Sequence, residues 1–242
     1  MQRTSPIEYS PIESKRFGLN IHRGSLETLD TEVLKLYIST FDPEILIARV
    51  PASEGYRLSE LNDLPREVIV ADTLVYYRLD RADRIVSTGQ RVAEVRKASP
   101  DDIEWLEMNV PNIFAGYVNH YASNPRLDRT KLPAAYAEWA VSYVSGGGRA
   151  AFIGYVSGQR AGFITCSRID GTVEIVLNGV LPQFRRSGVY TALVKYVADH
   201  YFSKGCPEIR VSTQVHNIAV QRVWVREQFL IEGAFLTIHL NK

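Results

Sequence analysis

Glu174-Ile-Val-Leu-Asn-Gly-Val-Leu-Pro-Gln-Phe-Arg-Arg-Ser-Gly188-Val-Tyr-Thr-Ala-Leu-Val-Lys-Tyr-Val-Ala-Asp-His-Tyr201 reads as a β-branched strand, a short basic turn and then a helix. Residues 172–180 are mostly β-branched or aliphatic and follow the turn signal Asp170-Gly171, which predicts a strand. From Val189 the apolar residues Val189, Leu193, Tyr196, Val197 and Tyr201 recur at helical spacing. Between them lie Gln183, Arg185, Arg186, Ser187 and Gly188. A glycine at the first turn of a helix lets a bulky anion approach unpaired backbone N–H groups, and the helix dipole and two arginines favour negative charge there. A phosphate is the expected occupant. The bland alternative is a chance basic helix start between two ordinary elements. A Walker A loop fits worse, because the glycine-rich run ending in Gly-Lys-Ser/Thr is missing.

Three strands with tight connections surround this stretch. Residues 149–156, the turn Ser157-Gly-Gln-Arg160, residues 161–169, the turn Asp170-Gly171 and residues 172–180 predict an antiparallel meander. After the Gly188 helix, residues 208–213 predict a strand reached by a helical crossover and therefore parallel to the one before. Asn217 is placed to cap a last helix with Val220, Val223 and Trp224 inward, and residues 235–240 predict a closing strand. Upstream, residues 92–97 predict a strand, and Ser99-Pro-Asp-Asp starts a helix expected to end near Asn109. A second helix is expected over 133–144, with Tyr136, Trp139, Ala140 and Tyr143 on one face and Gly146-Gly-Gly148 stopping it. Tyr136 and Trp139 are expected in the core rather than the site.

The first 15 residues read as an extended, proline-punctuated arm. Residues 29–41 then predict a helix, and 45–50 and 68–79 predict strands. Ninety residues are few for an independent core, so region 1–90 is expected to pack on the remainder along the substrate cleft, with a polar boundary around Ser87-Thr-Gly-Gln90. Two α/β halves leave room for a degenerate duplication.

With 242 residues and 45% hydrophobic content the chain can bury a sizeable core. Lys plus Arg number 28 against 27 Asp plus Glu, a net charge of +1, so there is no excess for wrapping nucleic acid or lying on an anionic membrane. Neither is expected as a partner. Residues 1–13 lack the basic start and apolar core of a signal peptide, and no apolar run approaches spanning length. Cys166 and Cys206 belong to no metal-type cluster and are expected as free thiols of a cytoplasmic protein. The five histidines show neither HExxH nor short paired spacing, so no metal is assigned.

The pattern Val180-x-Pro182-x-x-Arg185-x-x-Gly188-x-Tyr190 resembles the acyl-coenzyme A signature of the GCN5-related N-acetyltransferases (GNAT), with Tyr190 standing where that family has glycine or alanine. The element order over 92–242 is similar to the same fold. Phe17-Gly-Leu-Asn20, His120-Tyr-x-x-Asn-Pro-Arg126 before Tyr136-x-x-Trp139, and Arg210-Val-Ser-Thr-Gln214-x-x-Asn217 further resemble enzymes that acylate the amine of a dTDP-linked amino-deoxy sugar, of the TDP-fucosamine acetyltransferase kind. The resemblance implies an α/β (α+β) GNAT fold: a mixed, mostly antiparallel sheet flanked by helices, with 91–242 as the acyl-coenzyme A-binding domain. It implies acyl-coenzyme A as co-substrate with no permanently bound cofactor, and transfer of an acetyl or short hydroxyacyl group to a nucleotide-linked amino sugar. A homodimer stays open. The alternatives are transfer to a protein or other small amine, or a non-catalytic binding module.

Acyl transfer to an amine needs a neutral amine, a polarised carbonyl and a proton for the departing thiolate. By the resemblance, Gly179, Val180, Arg185, Arg186, Ser187, Gly188, Val189 and Tyr190 bind coenzyme A, and Asn217 lies by the pantetheine arm unless it serves only as a helix cap. Glu174 matches the place of a base glutamate in some members and sits in an otherwise apolar strand, where desolvation favours proton acceptance. The other reading turns it to solvent or to Arg168. The family's usual tyrosine on the last helix aligns with Trp224, whose indole N–H cannot act as an acid, so Tyr190, His216 or a water is left as proton source. His216 reads equally as a surface histidine. His120, Tyr121, Asn124 and Arg126 are the acceptor candidates, a ring to stack upon and a cation for a diphosphate; an ordinary polar loop is the alternative.

Overall fold

A computed structural model gives the structure of residues 6–85 and 93–242. Strand β1 (Glu8–Tyr9) leads into helix α1 (Pro11–Phe17), so the expected extended arm turns helical at residue 11. Pro11 at the first turn and Gly18 at φ 73° bracket that helix. Next come β2 (Ile21–Ser25), α2 (Thr31–Phe41), β3 (Ile45–Pro51) and, after 3-10 turns over Ala52–Asp63, the long β4 (Glu67–Asp80). Asp30 caps α2, its carboxylate accepting the N–H groups of Glu32 and Val33 at 3.1 Å each. The expected boundary at Ser87 to Gln90 and the strand start at Val92 lie outside the described residues.

Past the boundary follow β5 (Glu94–Lys97), α3 (Ile103–Ile113) and α4 (Leu132–Val141). Helix α3 outruns its expected end at Asn109, because buried Val110 and Ile113 continue its apolar face through Pro111. Strands β6 (Arg149–Val156), β7 (Gln159–Ile169) and β8 (Thr172–Val180) form the antiparallel meander. Helix α5 (Val189–Phe202) then crosses to β9 (Glu208–Gln214), parallel to β8, and α6 (Ile218–Arg226) precedes β10 (Leu230–Asn241), longer than expected.

Among the described residues the ten strands make one mixed sheet in the order β1-β2-β3-β10-β4-β9-β8-β7-β6-β5, the mixed α/β architecture expected from the sequence. Its centre is symmetric. The parallel pairs β2–β3 and β8–β9 are each joined by a helix, and the strand that ends each half is handed to the other: β4 pairs with β9, β10 with β3, and the two pair with each other. Strand β4 therefore inserts the N-terminal region between β9 and β10.

Four apolar clusters among the described residues cover the sheet, two of them around β6 to β9. On one face α5 and α6 bury Leu193, Val197 and Trp224 against Phe152, Ile175 and Val211; on the other α3 and α4 bury Leu106, Val110 and Ala140 against Ile153, Phe163 and Leu177. Ile175 and Leu177 are two apart in one strand yet serve opposite cores. The cause is a bulge: pairing passes from Cys166↔Ile175 to Ile164↔Asn178, leaving Val176 and Leu177 opposite Thr165. Thr165 Oγ1 accepts the Leu177 N–H (2.9 Å) and donates to the Leu177 carbonyl (3.1 Å), satisfying the backbone the bulge frees. Cys166 and Cys206 are both free and buried.

Candidate active site

The bulge bends β8 away from its parallel neighbour. Strand β8 pairs with β9 only at Val173↔Ile209, Glu174↔Arg210 and Ile175↔Val211, after which the two strands part. A cavity of about 1180 Å³ fills the gap. Tyr190, Val220 and Trp224 wall it from the α5–α6 side, Ile113, Phe114 and Tyr136 from the α3–α4 side. It runs from the N-terminus of α5 to Arg23 and Arg49 on β2 and β3.

At the α5 end Arg186 (φ 67°) and Gly188 (φ 84°) both adopt the left-handed conformation. Such alternation turns successive N–H groups to one side, a concavity for an anion, and the open first turn of α5 adds its own. Of the residues expected to hold coenzyme A, Gly179, Val180, Arg185, Arg186, Gly188, Val189, Tyr190 and Asn217 line the cavity. Ser187 is in the loop but off the wall, its Oγ accepting the Val189 N–H at 3.4 Å. Gly179 has a packing reason of its own: a Cβ there would lie 2.3 Å from Ile113 Cγ2. Asn217 does not cap α6 with its side chain; it donates to Thr213 Oγ1 at 3.0 Å.

Tyr190, bulky for its position, turns its ring away from the loop. Its hydroxyl donates to Asn178 Oδ1 (2.8 Å) and accepts from Trp224 Nε1 (3.0 Å), spanning the cleft between β8 and α6. Burial pushes the phenol well above its ordinary value, with the Trp224 N–H acting against that. Trp224 itself is fully buried, as expected of a core residue, yet its edge reaches the cavity. His216 is exposed and is not on the wall.

Glu174 lies opposite Ser167 on β7 and Arg210 on β9, so Arg168 is not its cross-strand neighbour. It points away from buried Val173 and Ile175, into the cavity. Its surface is open to the cavity, but protein surrounds it, and that desolvation raises its pKa, with Arg49 and then Arg210 pulling the other way. Arg210 is itself engaged with Glu208 and Glu232, both at 3.1 Å.

The acceptor candidates divide. His120 and Tyr121 reach the wall; Asn124 and Arg126 do not. His120 Nδ1 bonds His239 Nε2 (2.9 Å), whose other nitrogen meets Asn124 Nδ2 (2.9 Å), and Asn124 also donates to Asn241 (2.8 Å). Burial first, then the neighbouring positive charges, holds His120 well below the ordinary imidazole value, and burial takes His239 down to about 4. Both are neutral at pH 7. The Tyr121 hydroxyl donates to Glu13. Arg126 donates to the Glu44 and Lys242 carbonyls at 3.2 and 2.9 Å, tying the loop to the chain terminus.

Several wall residues were not among the sequence-based candidates. Tyr136 stacks on Phe114 at 4.3 Å and 15° and, with Trp139, belongs to the wall rather than only to the core. Tyr117 donates to Gln214 from the same side. Arg49 carried a readable signal, a lone charge in a strand of otherwise apolar or small residues, the same signal that marked Glu174; Arg23, next to His22 in β2, did not.

Residues 115–228 match the model of the Acetyltransferase (GNAT) family. Among curated proteins no sequence matches the chain. Solved structures resemble it in fold at low identity. A functionally unknown conserved protein from Staphylococcus epidermidis is 15% identical with a TM-score of 0.64, covering 100% of this chain and 93% of that one. A GCN5-related N-acetyltransferase from Kribbella flavida is 14% identical with a TM-score of 0.57, covering 92% and 81%. A tandem GNAT protein from the clavulanic acid biosynthesis pathway is 14% identical with a TM-score of 0.58, covering 93% and 76%. The family match and these structures agree on the fold around the β8–α5 turn.

Proposed function

We propose that the chain transfers an acyl group, acetyl or a short hydroxyacyl, from coenzyme A to the amine of a nucleotide-linked amino sugar. The observation that carries the transferase reading is one cavity joining an anion-binding helix start, the parted edges of β8 and β9, and a lone carboxylate. The pyrophosphate of coenzyme A lies over Arg186 to Tyr190, and the free backbone edge beyond Ile175 takes the pantetheine arm. Glu174 accepts a proton from the amine as nitrogen attacks the thioester carbonyl. The C–N bond forms, the C–S bond breaks, and the departing thiolate takes a proton from the Tyr190 hydroxyl, whose oxygen the Trp224 N–H then stabilises. Supporting a nucleotide-sugar acceptor are the aromatic walls at Tyr117, Tyr136 and Trp139, which suit a ring, and the arginines at the far end, which suit a diphosphate.

Calorimetry with acetyl-coenzyme A and thiol release with a panel of amines test this reading. Expected are saturable binding and turnover, with dTDP competing against the acceptor at millimolar concentration, where even ligands of about −4 kcal/mol register. Turnover without dTDP competition would replace the sugar with a simpler amine or a protein; binding without turnover on any amine would leave a coenzyme A-binding module.

A further inference from the structure

Arg49 departs from how this protein treats its other half-buried arginines. Arg57, Arg66, Arg84 and Arg160 are each held by a carboxylate, at 2.8, 2.7, 2.5 and 2.7 Å. Arg49 lines the cavity from the middle of β3, its Nε is fully buried, and among the described residues no hydrogen bond or ion pair satisfies it. Leaving a guanidinium N–H buried without an acceptor is costly, and a ligand in the cavity that supplies an acceptor to this side chain would offset that cost. The surroundings repeat the pattern. Thr237 on β10 is directly opposite Arg49, and Asp72 on β4 is directly opposite Thr237, so all three side chains share one face of the sheet. Thr237 Oγ1 and Asp72 Oδ1 are likewise buried without a partner; of the two, only the hydroxyl can donate to an anion. Arg23, the other cation at this end, is already matched by Glu13 at 3.0 Å. Among the described residues at this end of the cavity, Arg49 is therefore the cation without a carboxylate in contact. Glu174 acts on it through space, but no ion pair joins the two, which leaves room between them.

We propose that Arg49 is an anion-binding residue of the acceptor site: it takes a carboxylate or phosphate of the acceptor and so presents the acceptor's amine to Glu174. Arg23, held by Glu13, flanks that anion. The inference deepens the acyltransferase reading and depends on it for the role of the amine. A small molecule with an amine at one end and an anion at the other matches a cavity lined by both the Glu174 carboxylate and the Arg49 guanidinium, whereas a neutral amine leaves Arg49 unpaired.

The test compares wild type with Arg49→Gln and Arg49→Lys. Acetyl-coenzyme A affinity, read by calorimetry, is expected to stay the same in all three; absence of binding in wild type would defeat the acyltransferase reading, independently of Arg49. Anion affinity is titrated with dTDP as the phosphate probe and glutarate as the carboxylate probe. Arg49→Gln is expected to weaken the better probe about tenfold or more, with Arg49→Lys in between, and the better probe names the anion. Thiol release is compared for glucosamine 6-phosphate against glucosamine and for phenylalanine against phenylalaninamide. Wild type is expected to favour the anionic member, and Arg49→Gln to lose that preference. Melting temperature separates this from a structural role: removing an unpaired charge leaves it equal or higher. Unchanged anion affinity in Arg49→Gln, retained preference, or a lowered melting temperature with intact affinity would overturn the proposal.

Discussion

Glu174 owes its chemistry to its walls. Desolvation raises its pKa above the ordinary carboxylate value, and Arg49 and Arg210 limit the rise. A base must be deprotonated, so kcat/KM is expected to climb with pH through that raised value and then level off. Glu174→Gln should remove the limb and lower turnover by about 10²–10⁴-fold with acetyl-coenzyme A affinity unchanged. Arg49→Gln should move the limb to higher pH, since it removes a charge that favours the ionised form. The sign for stability is opposite to the usual carboxylate case. A folded-state value above the unfolded one favours the folded protein at low pH, and this contribution fades as pH rises from the ordinary value through the raised one. Glu174→Gln should therefore not lower the melting temperature at neutral pH, and a clear drop would assign Glu174 a structural role.

Helices α2 and α5 start in the same relation to a parallel strand pair but differ in what fills the first turn. At α2 the Asp30 carboxylate occupies the N–H groups, and β2 pairs with β3 from Ile21↔Ile45 to Ser25↔Arg49 without parting. At α5 glycine leaves them open, and β8 parts from β9 after three residues. An anion already built into α2 excludes a second one, so calorimetry is expected to give one coenzyme A per chain; a stoichiometry of two would refute this. Gly188→Ala puts a Cβ in the cradle at φ 84°, a conformation costing an L-residue roughly 1–2 kcal/mol. Its expected effect is a loss of at least about tenfold in coenzyme A affinity on a protein whose near-ultraviolet circular dichroism is unchanged.

The exchange of β4 and β10 makes the two halves depend on each other. Without β4, both β9 and β10 lose the strand that pairs with them along its length, from Leu230↔Arg78 to Asn241↔Glu67 on one side and Leu74↔Gln214 to Asp80↔Glu208 on the other. Residues 93–242 expressed alone are expected to lack cooperative unfolding and dispersed amide resonances, and to regain both when residues 1–85 are co-expressed. A well-folded isolated fragment would show that residues 93–242 are self-sufficient. The acceptor end of the cavity follows the same logic, since Arg23 and Arg49 come from the N-terminal half and Glu174 from the other.

Local order was written in the chain. Periodicity and turn residues determined the meander, α5 and the parallel β9, and Gly188 after a β-branched run determined an open, basic helix start, because these depend on neighbours a few residues away. Helix α1, strand β2 and the 3-10 turns were not legible: short segments carry too few periods to stand out, and tertiary contacts hold them. The face of Glu174 was undecidable from alternation, which every β-bulge resets, and it took the register against Thr165 to show that Ile175 and Leu177 part company. Asn124 and Arg126 carried the same residue types as a ligand loop, yet the fold turned them to His239, Asn241 and the last carbonyl. Arg49 is the converse. Its strand was readable and its charge visible, but only the exchange of strands brings it to the wall of the same cavity as a carboxylate 125 residues away in the chain, as the two positions show. Sequence spacing has no means of expressing that proximity, because it arises from strand pairing between the halves rather than from any local preference.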